Sequence, residues 1–257
     1  MVDNPTPGQV DALGWYKALV DEMPGGSEPH LFETTGGPQV IKALNNPQGA
    51  RVLSNELVGG LLLDWLGVNH PKPHVVKIPP EVIQDNPGAK FRSGTPLASG
   101  LAFGSPFLQS DAQATLNPKL VRNKTDVAGT LAYDTWVRNH DGRQFRVRAA
   151  SDEPGKYDYI PVDQGFSLGN PNWTSSSLDA DRTVVVPDSP VPLIAQDVAP
   201  AITRLREFDG ADADGIIAHA PPDWLTPGER EALKRYLVER APLAADALQA
   251  KYPSTGG

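Results

Sequence analysis

The hydrophobic residues of the first fifty positions follow a helical period and then an alternating one. In Gly8–Met23 the apolar residues recur every three or four positions, which predicts an amphipathic N-terminal helix. The run Pro24–Ser27 contains proline and glycine and predicts a turn. The β-rich runs His30–Thr34 and Gln39–Leu44 flank a Gly-Gly-Pro turn and predict a hairpin. We therefore expect the chain to begin with a helix and a hairpin.

A further helix and two more strands are predicted next. The dipeptide Asn46-Pro47 suits the N-cap and first turn of a helix that runs to about Leu66. Apolar runs at Pro71–Ile78 and Gly100–Phe103 predict strands. Between them, Asp85–Ser99 is rich in Gly, Pro and Ser and predicts a surface loop.

The second half of the chain is predicted to be mainly helical, with a small β insert. A helix capped by Thr125 or Asp126 runs toward Arg138, and two short strands follow, of which the second ends at Asp163. The chain is loop-rich from there to Pro192. Helical periodicity then returns in Val191–Phe208, Ala211–His219 and Pro227–Leu248.

Strand-forming and helix-forming segments are thus separated along the chain. Such segregation predicts an α+β fold, with a cleft between two lobes. We expect a single domain over residues 1–257. Its β-rich N-terminal lobe, with the N-terminal helix, would cover residues 1–108, and its helix-rich C-terminal lobe would cover residues 109–257.

The amino-acid composition and charge indicate which partners the protein could bind and in which cellular compartment it would be found. The net charge of −8 argues against direct binding of nucleic acid, which relies on clustered Lys and Arg. The absence of Cys and of a secretory pattern at the N-terminus favours a cytoplasmic protein. The longest apolar run, Leu57–Leu66, is interrupted by glycine and aspartate and does not predict a membrane span.

Two upstream features could bind phosphate groups. Lys42 ends an apolar strand, and Glu56 lies on the helix that follows. In a buried cleft, such a pair supplies a rigid cation for the α/β-phosphates of a nucleotide. The backbone of Gly25, Gly26 and Ser27 could also cradle phosphates. Each feature has a plain alternative, because exposed strand lysines, solvated helix glutamates and glycine turns are common.

Two aspartates flank the predicted β insert. Asp141 follows a helix in the sequence Arg-Asn-His-Asp-Gly, and Asp163 ends a strand two residues before Gly165. A kinase-type phosphotransferase needs one carboxylate at the acceptor hydroxyl and another on a metal bound to ATP. The alternative is that Asp141 only shapes a turn and Asp163 only caps one.

Other enzyme classes lack their motifs here. The chain has no Walker A pattern and no Gly-x-Ser-x-Gly elbow, and its five His lack the His-Glu-x-x-His spacing of zinc proteases. The late helix carries Glu among its Arg and Lys residues, which predicts a solvated face and not a membrane-docking surface. The basic residues of this face are Arg230, Lys234, Arg235 and Arg240.

Six segments resemble the HipA-like kinase domain family, relatives of the bacterial toxin kinase HipA, and more distantly type II phosphatidylinositol 4-kinases. They extend over roughly residues 20–240 and read PGGSEPHLF, PQVIKALNNPQGARVLSNE, LAFGSPF, DTWVRNHDGRQFRV, YIPVDQGFSLG and APPDWLTPGEREALKRYL. The resemblance implies a two-lobed, protein-kinase-like fold with an ATP- and Mg²⁺-dependent phosphotransfer site.

The resemblance also implies a role for each matching residue. Lys42 would bind the α/β-phosphates and Glu56 would orient it, while Gly25, Gly26 and Ser27 would form the phosphate loop. Asp141 would be the catalytic aspartate, and Asp163 the principal Mg²⁺ ligand. The segment Phe103, Gly104 and Ser105 would lie near the hinge, beside the adenine or the mouth of the cleft.

The chain departs from the family pattern at two positions. Relatives carry a metal-binding Asn about five residues after the catalytic Asp, where this chain has Arg146. Gln144 is then the nearest amide that could serve as a second Mg²⁺ ligand. Glu28 replaces the more usual Gln and would place a carboxylate beside the phosphates.

Three functions are compatible with these residues. The first is a kinase that acts on a protein Ser or Thr and that could also bind a regulatory partner protein. The second is a nucleotide-binding pseudokinase that works through interactions. The third is a small-molecule or lipid-head-group kinase, against which stands the lack of any signal for stable membrane association.

Overall fold

A closed five-stranded barrel forms the first part of the protein. The computed structural model describes residues 9–19, 26–49, 51–108, 116–139 and 144–254. The strands follow the order β1-β2-β3-β5-β4, and β1 closes the barrel by pairing in parallel with β4. Their bounds are β1, Gln9–Ala18; β2, His30–Thr34; β3, Gln39–Lys42; β4, His74–Ile78; and β5, Gly100–Pro106.

The predicted N-terminal helix is wrong, because this segment is strand β1. Pairing with both β2 and β4 satisfies its backbone, and two register shifts interrupt the alternation of its side chains. Ala12 is buried in the barrel, whereas Leu13 and Tyr16 are 61% and 54% exposed. The apolar residues that gave the helical period thus do not share one buried face. Tertiary pairing has overridden the local pattern.

Helix α1, Arg51–Trp65, packs beneath the barrel and is buried along almost its whole length. It begins later than predicted, because the side chain of Asn46 is used in the preceding turn. Its amide donates to Ser27 O at 2.7 Å and its oxygen accepts from Gln48 N at 3.0 Å. A short helix α2, Pro80–Gln84, was not predicted. The loop after it sends Phe91 and Leu97 into the barrel core and is not purely a surface loop.

The remaining elements form a helical region with one β hairpin, as predicted from the sequence. The predicted hairpin and all four long predicted helices are present, and the short α4 is additional. These elements are α3, Lys124–Val137; β6, Phe145–Ala149; β7, Tyr157–Pro161; α4, Ser175–Ala180; α5, Ala195–Glu207; α6, Gly210–Ala218; and α7, Pro227–Lys251.

A continuous apolar core joins α1 to these helices. At its centre Phe208 packs edge to face with Trp65 and Trp136, and the two indoles are tilted against each other; the ring centroids are 4.5 to 6.1 Å apart. None of the helices within the described ranges combines the length and apolar character that a bilayer crossing requires.

The predicted solvated face of α7 is wrong at Arg230 and Arg240. Arg230 is partly buried and donates to the carbonyls of Ile217 at 2.8 Å and Ala220 at 2.7 Å. Arg240 is fully buried and donates to the carbonyls of Trp136 at 2.7 Å and Thr183 at 2.8 Å, with Asp181 Oδ1 at 3.5 Å. It thereby satisfies carbonyls at the C-terminal end of α3, which have no partners within that helix. Arg235, in contrast, is half exposed and pairs with Asp179 on the surface.

Replacing Arg240 with Met should lower the free energy of unfolding by about 3–5 kcal/mol, because the carbonyls of Thr135, Trp136 and Thr183 lose their buried donor. Asp181 keeps an ion pair with Arg138 at 2.7 Å. Urea unfolding of the purified protein measures this change. The matched variant on the same helix is Arg235→Met, which should cost less than about 1 kcal/mol because its ion pair is solvated. Equal losses for the two variants would contradict a structural role for Arg240.

Candidate active site

Three charged side chains from separate segments meet where the barrel contacts the helical region. Lys42 lies at the end of β3, Glu56 in the middle of α1, and Asp163 just after β7. The Nζ atom of Lys42 bonds to Glu56 Oε1 and lies 2.8 Å from Asp163 Oδ1. The side chains of Lys42 and Glu56 are almost wholly buried, whereas that of Asp163 is 24% exposed. The structure therefore brings together Lys42, Glu56 and Asp163, three of the candidate site residues singled out in the sequence.

One cation is shared between two carboxylates, and their pKa values reflect this. Burial disfavours the charged form of Lys42, but the two carboxylates outweigh burial and raise its pKa. Burial raises the pKa of Glu56 to about 7 against the opposing effect of Lys42. Burial also acts to raise the pKa of Asp163, but Lys42 and hydrogen bonds bring it below its usual value. With both carboxylates ionised, the cluster carries one excess negative charge, and Asp163 is its exposed member.

The backbone after β7 is bent so that Asp163 faces this cluster. Asp163 has φ of 59°, in the left-handed region that few residues other than glycine occupy. Its Oδ1 also accepts a hydrogen bond from Gly165 N at 3.3 Å, and Gln164 N donates to Glu56 Oε2 at 2.8 Å. A Cβ at Gly165 would lie 3.2 Å from Val52, so glycine lets the loop approach α1 closely.

The residues that hold this loop against α1 were missed in the sequence. Asn55 donates to the carbonyls of Gly165 at 2.8 Å and Ser167 at 3.0 Å, and it accepts from Trp173 Nε1 at 2.8 Å. The hydroxyl of Tyr133 on α3 bonds to that of Ser167. The available signal was the polar run Ser54, Asn55 and Glu56, which interrupts the apolar residues of α1.

The candidate phosphate loop lies between β1 and β2. Gly25 lies outside the described residues, whereas Gly26 and Ser27 are described. A Cβ on Gly26 would come within 2.5 Å of the amide nitrogen of Gln48, so this position accepts only glycine without rearrangement. Ser27 is buried, and its carbonyl is held by Asn46.

Glu28 is turned toward the loop that follows α2. Its φ of 40° is in the left-handed region, and its carboxylate accepts a hydrogen bond from Arg92 N at 2.7 Å. The carboxylate thus has a protein partner of its own. This contact is an alternative to the position beside the phosphates that the family pattern suggested.

Phe103, Gly104 and Ser105 all lie in strand β5. Phe103 pairs with Lys42 across the ladder, and Gly104 pairs with Ile41 on β3. Phe103 and Ser105 line a cavity between barrel and helices whose wall also includes Glu56 and Asp163. Gly104 does not line it, and a Cβ there would collide with Val76.

A histidine on the wall of the same cavity was not predicted. His70 lies after α1 and lines the cavity together with Pro71 and Pro73. Its Nε2 is 2.9 Å from Asp64 Oδ1, and Lys72 pairs with the same carboxylate. Burial acts to raise the pKa of Asp64, but His70 and Lys72 reverse the shift and lower it. His70 is not part of any sequence motif, so there was no reason in the sequence to assign it to the site.

The remaining predicted residues belong to the part of the sequence between the end of α3 and β6. Asp141 falls outside the described residues, between Asn139 and Gln144. The side chain of Asn139 donates to Asp134 Oδ1 at 2.9 Å. The carbonyl of Gln144 accepts from Val162 N at 3.0 Å, which places Gln144 beside the residue that precedes Asp163.

Arg146, at the position of the usual metal-binding Asn, lies inside strand β6. It pairs there with Ile160 of β7. The ladder therefore begins before this position, and Gln144 is the amide-bearing residue at its open end. Its exposed side chain remains a candidate for the second metal ligand.

Comparison with solved structures gives the fold. The chain is similar to the crystal structure of a Helicobacter pylori proinflammatory kinase, CtkA, with a TM-score of 0.56 and 14% sequence identity. The match covers 87% of this chain and 93% of that one. Neither a protein-family model nor a curated protein sequence matches the chain. At this low identity the likeness shows the fold alone, and the fold is α+β and kinase-like.

Proposed function

We propose that this protein is a kinase that transfers the γ-phosphoryl group of ATP to a hydroxyl group, with a protein Ser or Thr as acceptor. The observation that carries the proposal is the contact of Lys42 with both Glu56 and Asp163. Lys42 and Asp163 are 121 positions apart, yet their charged atoms are 2.8 Å apart in a largely buried site. A strand lysine, a helix glutamate and a loop carboxylate in this arrangement are what nucleotide phosphotransfer requires.

The proposed arrangement places ATP between two lobes, residues 1–108 and 109–257. Lys42 would contact the α/β-phosphates, with Glu56 fixing its position. The loop of Gly25, Gly26 and Ser27 would cover the phosphates. Phe103 and Ser105 would lie near the hinge, beside the adenine or the mouth of the cleft, while Gly104 keeps β5 close to β4.

The residues of this site fit a magnesium ion. Two carboxylates share one lysine, so a divalent cation would compensate the excess negative charge, and Asp163 is the more accessible carboxylate. Within the described ranges no three His, Cys, Asp or Glu side chains form a metal cage. Mg²⁺ is commonly bound through one or two carboxylates together with substrate phosphates. Asp163 and Gln144 would hold the ion, which would neutralise charge developing on the phosphoryl oxygens.

Transfer also requires groups that orient the acceptor hydroxyl and stabilise the leaving diphosphate. We assign to Asp141, on the basis of its sequence position, the role of orienting the acceptor hydroxyl and accepting its proton. Lys42 would stabilise the charge of the leaving diphosphate, since a cation already held in place by Glu56 and Asp163 needs little reorganisation during transfer.

Membership of the HipA-like group is part of this proposal. Its support is the six sequence segments together with the kinase-like fold. A regulatory partner protein is an expectation from the same resemblance, whereas a cytoplasmic location is an expectation from the absence of Cys and of a secretory pattern.

A nucleotide-binding protein without catalysis is the second candidate. The observation that favours it is Arg146, which is paired within the β6–β7 ladder where relatives place a metal-binding Asn. Catalysis would then depend on Gln144. ATP would still bind through Lys42 and Asp163.

Incubation with ATP labelled in its γ-phosphate tests the proposal directly. With Mg²⁺ or Mn²⁺, the wild type should phosphorylate itself or turn over ATP, and Asp141→Ala and Asp163→Ala should lower the rate at least about 100-fold. If neither activity is seen but ATP raises the melting temperature in a manner that Lys42→Ala abolishes, the second candidate is correct. Phosphoproteomics of cells expressing the wild type or Asp141→Ala would identify the acceptor.

A further inference from the structure

Asn55 of α1 contacts three carbonyls and an indole of the segment after Asp163. It is fully buried. Its Nδ2 donates to Gly165 O at 2.8 Å and to Ser167 O at 3.0 Å, with Asn170 O more distant at 3.4 Å. Its Oδ1 accepts from Trp173 Nε1 at 2.8 Å.

The hydrogen bonds define the orientation of this amide. Carbonyl groups can only accept and an indole N–H can only donate, so the nitrogen of Asn55 must face Gly165 and Ser167. Both amide protons and the amide oxygen are therefore used. A side chain that lacks either function would leave buried backbone carbonyls or the indole of Trp173 without a partner.

The neighbouring Glu56 completes the attachment. Its Oε2 accepts a hydrogen bond from Gln164 N at 2.8 Å, while the amide of Asn55 donates to the carbonyl of Gly165, the residue after Gln164. Two adjacent side chains of α1 thus bind a donor and acceptors of the same loop. Glu56 also bonds to Lys42, so the loop, the helix and the lysine are joined.

We propose that Asn55 is a positioning residue for the metal site, which holds the loop so that Asp163 keeps its place relative to Lys42. Asn55 itself touches neither nucleotide nor metal. The inference rests on the proposed function, because it assigns Asp163 the metal. Outer groups that orient a metal ligand typically contribute about 10- to 100-fold to metal affinity.

The decisive measurement compares ATP binding with and without metal. Isothermal titration calorimetry gives the Kd of ATP with excess Mg²⁺ and with excess EDTA. For Asn55→Ala the Kd with Mg²⁺ should rise about 10-fold or more, whereas the Kd with EDTA should change less than about twofold. A purely structural role would alter both values by the same factor or alter neither.

Two tryptophan variants provide a second test, which leaves Asn55 itself unchanged, and a control for that test. Trp173→Phe removes the indole N–H that bonds to Asn55, together with part of the buried ring volume, and keeps an aromatic ring beside Arg51, which stacks on Trp173. Trp136→Phe removes an equally buried indole N–H, bonded to Leu237 O at the same 2.8 Å in the helical core. Trp173→Phe should weaken Mg²⁺-dependent ATP binding selectively, and Trp136→Phe should not, although both should lower the melting temperature.

The experiments distinguish failure of the positioning role of Asn55 from failure of the proposed function. If Asn55→Ala does not fold, the two tryptophan variants decide. If Trp173→Phe leaves the ratio of the two Kd values as in the wild type, or if Trp136→Phe changes it equally, the positioning role is wrong while the proposed function stands. If the wild type binds ATP neither with Mg²⁺ nor with EDTA, the proposed function and this inference are both wrong.

Discussion

Lys42→Met should abolish phosphotransfer and markedly destabilise the protein. Loss of the cation leaves Glu56 and Asp163 facing each other in a largely buried site. Removing one partner of a buried ion pair costs about 3–5 kcal/mol, because the remaining charge is uncompensated. The loss of the phosphate-binding cation should lower the rate at least about 100-fold. Urea unfolding measures the first effect, and the γ-phosphate transfer assay measures the second.

Lys72→Met is the matched control for this variant. Lys72 also pairs with a buried carboxylate, Asp64, but its own side chain is 56% exposed, and His70 remains to bond to Asp64. The change should therefore cost less than about 1 kcal/mol, and activity should be retained. ATP binding and turnover by Lys42→Met at wild-type levels would contradict the role assigned to Lys42.

Gly59→Ala should displace the loop that carries Asp163. An added Cβ would collide with the hydroxyl of Tyr133 and would lie 2.8 Å from Cβ of Gln164. Neither neighbour can withdraw easily, because Tyr133 is buried in the core and Gln164 belongs to the loop bound by Glu56. Overpacking of this kind costs about 1–3 kcal/mol, and we expect a rise in the Kd of ATP with Mg²⁺ alongside a lower melting temperature.

The control for this substitution is Gly228→Ala, in the first turn of α7. No atom lies within 4 Å of a Cβ built there, so the change should be neutral or stabilise the protein by up to about 1 kcal/mol. A melting temperature of Gly59→Ala equal to that of Gly228→Ala would show that the packing around Gly59 is not as tight as the contacts indicate.

The sequence located the charged residues of the site but not the framework that holds them. Lys42 and Asp163 stand at or just after the end of a strand, and Glu56 was recognised as a possible partner of Lys42 on the following helix. Asn55 has no such mark, because its importance depends on carbonyls more than 100 positions away. Arg240 was misread for the same reason, since a charged residue on a helix is usually solvated, yet the carbonyls at the end of α3 bind this one.

Strand β1 shows why secondary structure could not always be predicted from the local sequence pattern. The apolar spacing of Gly8–Met23 matches a helix, but β2 and β4 offer partners on both sides of the segment, and the barrel closes only if it is a strand. Later helices were predicted well, because their apolar faces pack against a continuous core and long amphipathic periods are reliable.

The sequence alone determined the separation of strands from helices, the positions of most elements and the residue types that point to phosphotransfer. These depend on local patterns and on the chemistry of single side chains. The tertiary structure alone decided that one lysine is shared by two carboxylates, that β1 closes a barrel, and that Asn55 joins the Asp163 loop to α1. Each of these depends on groups that are far apart in the chain and become neighbours only when the core packs.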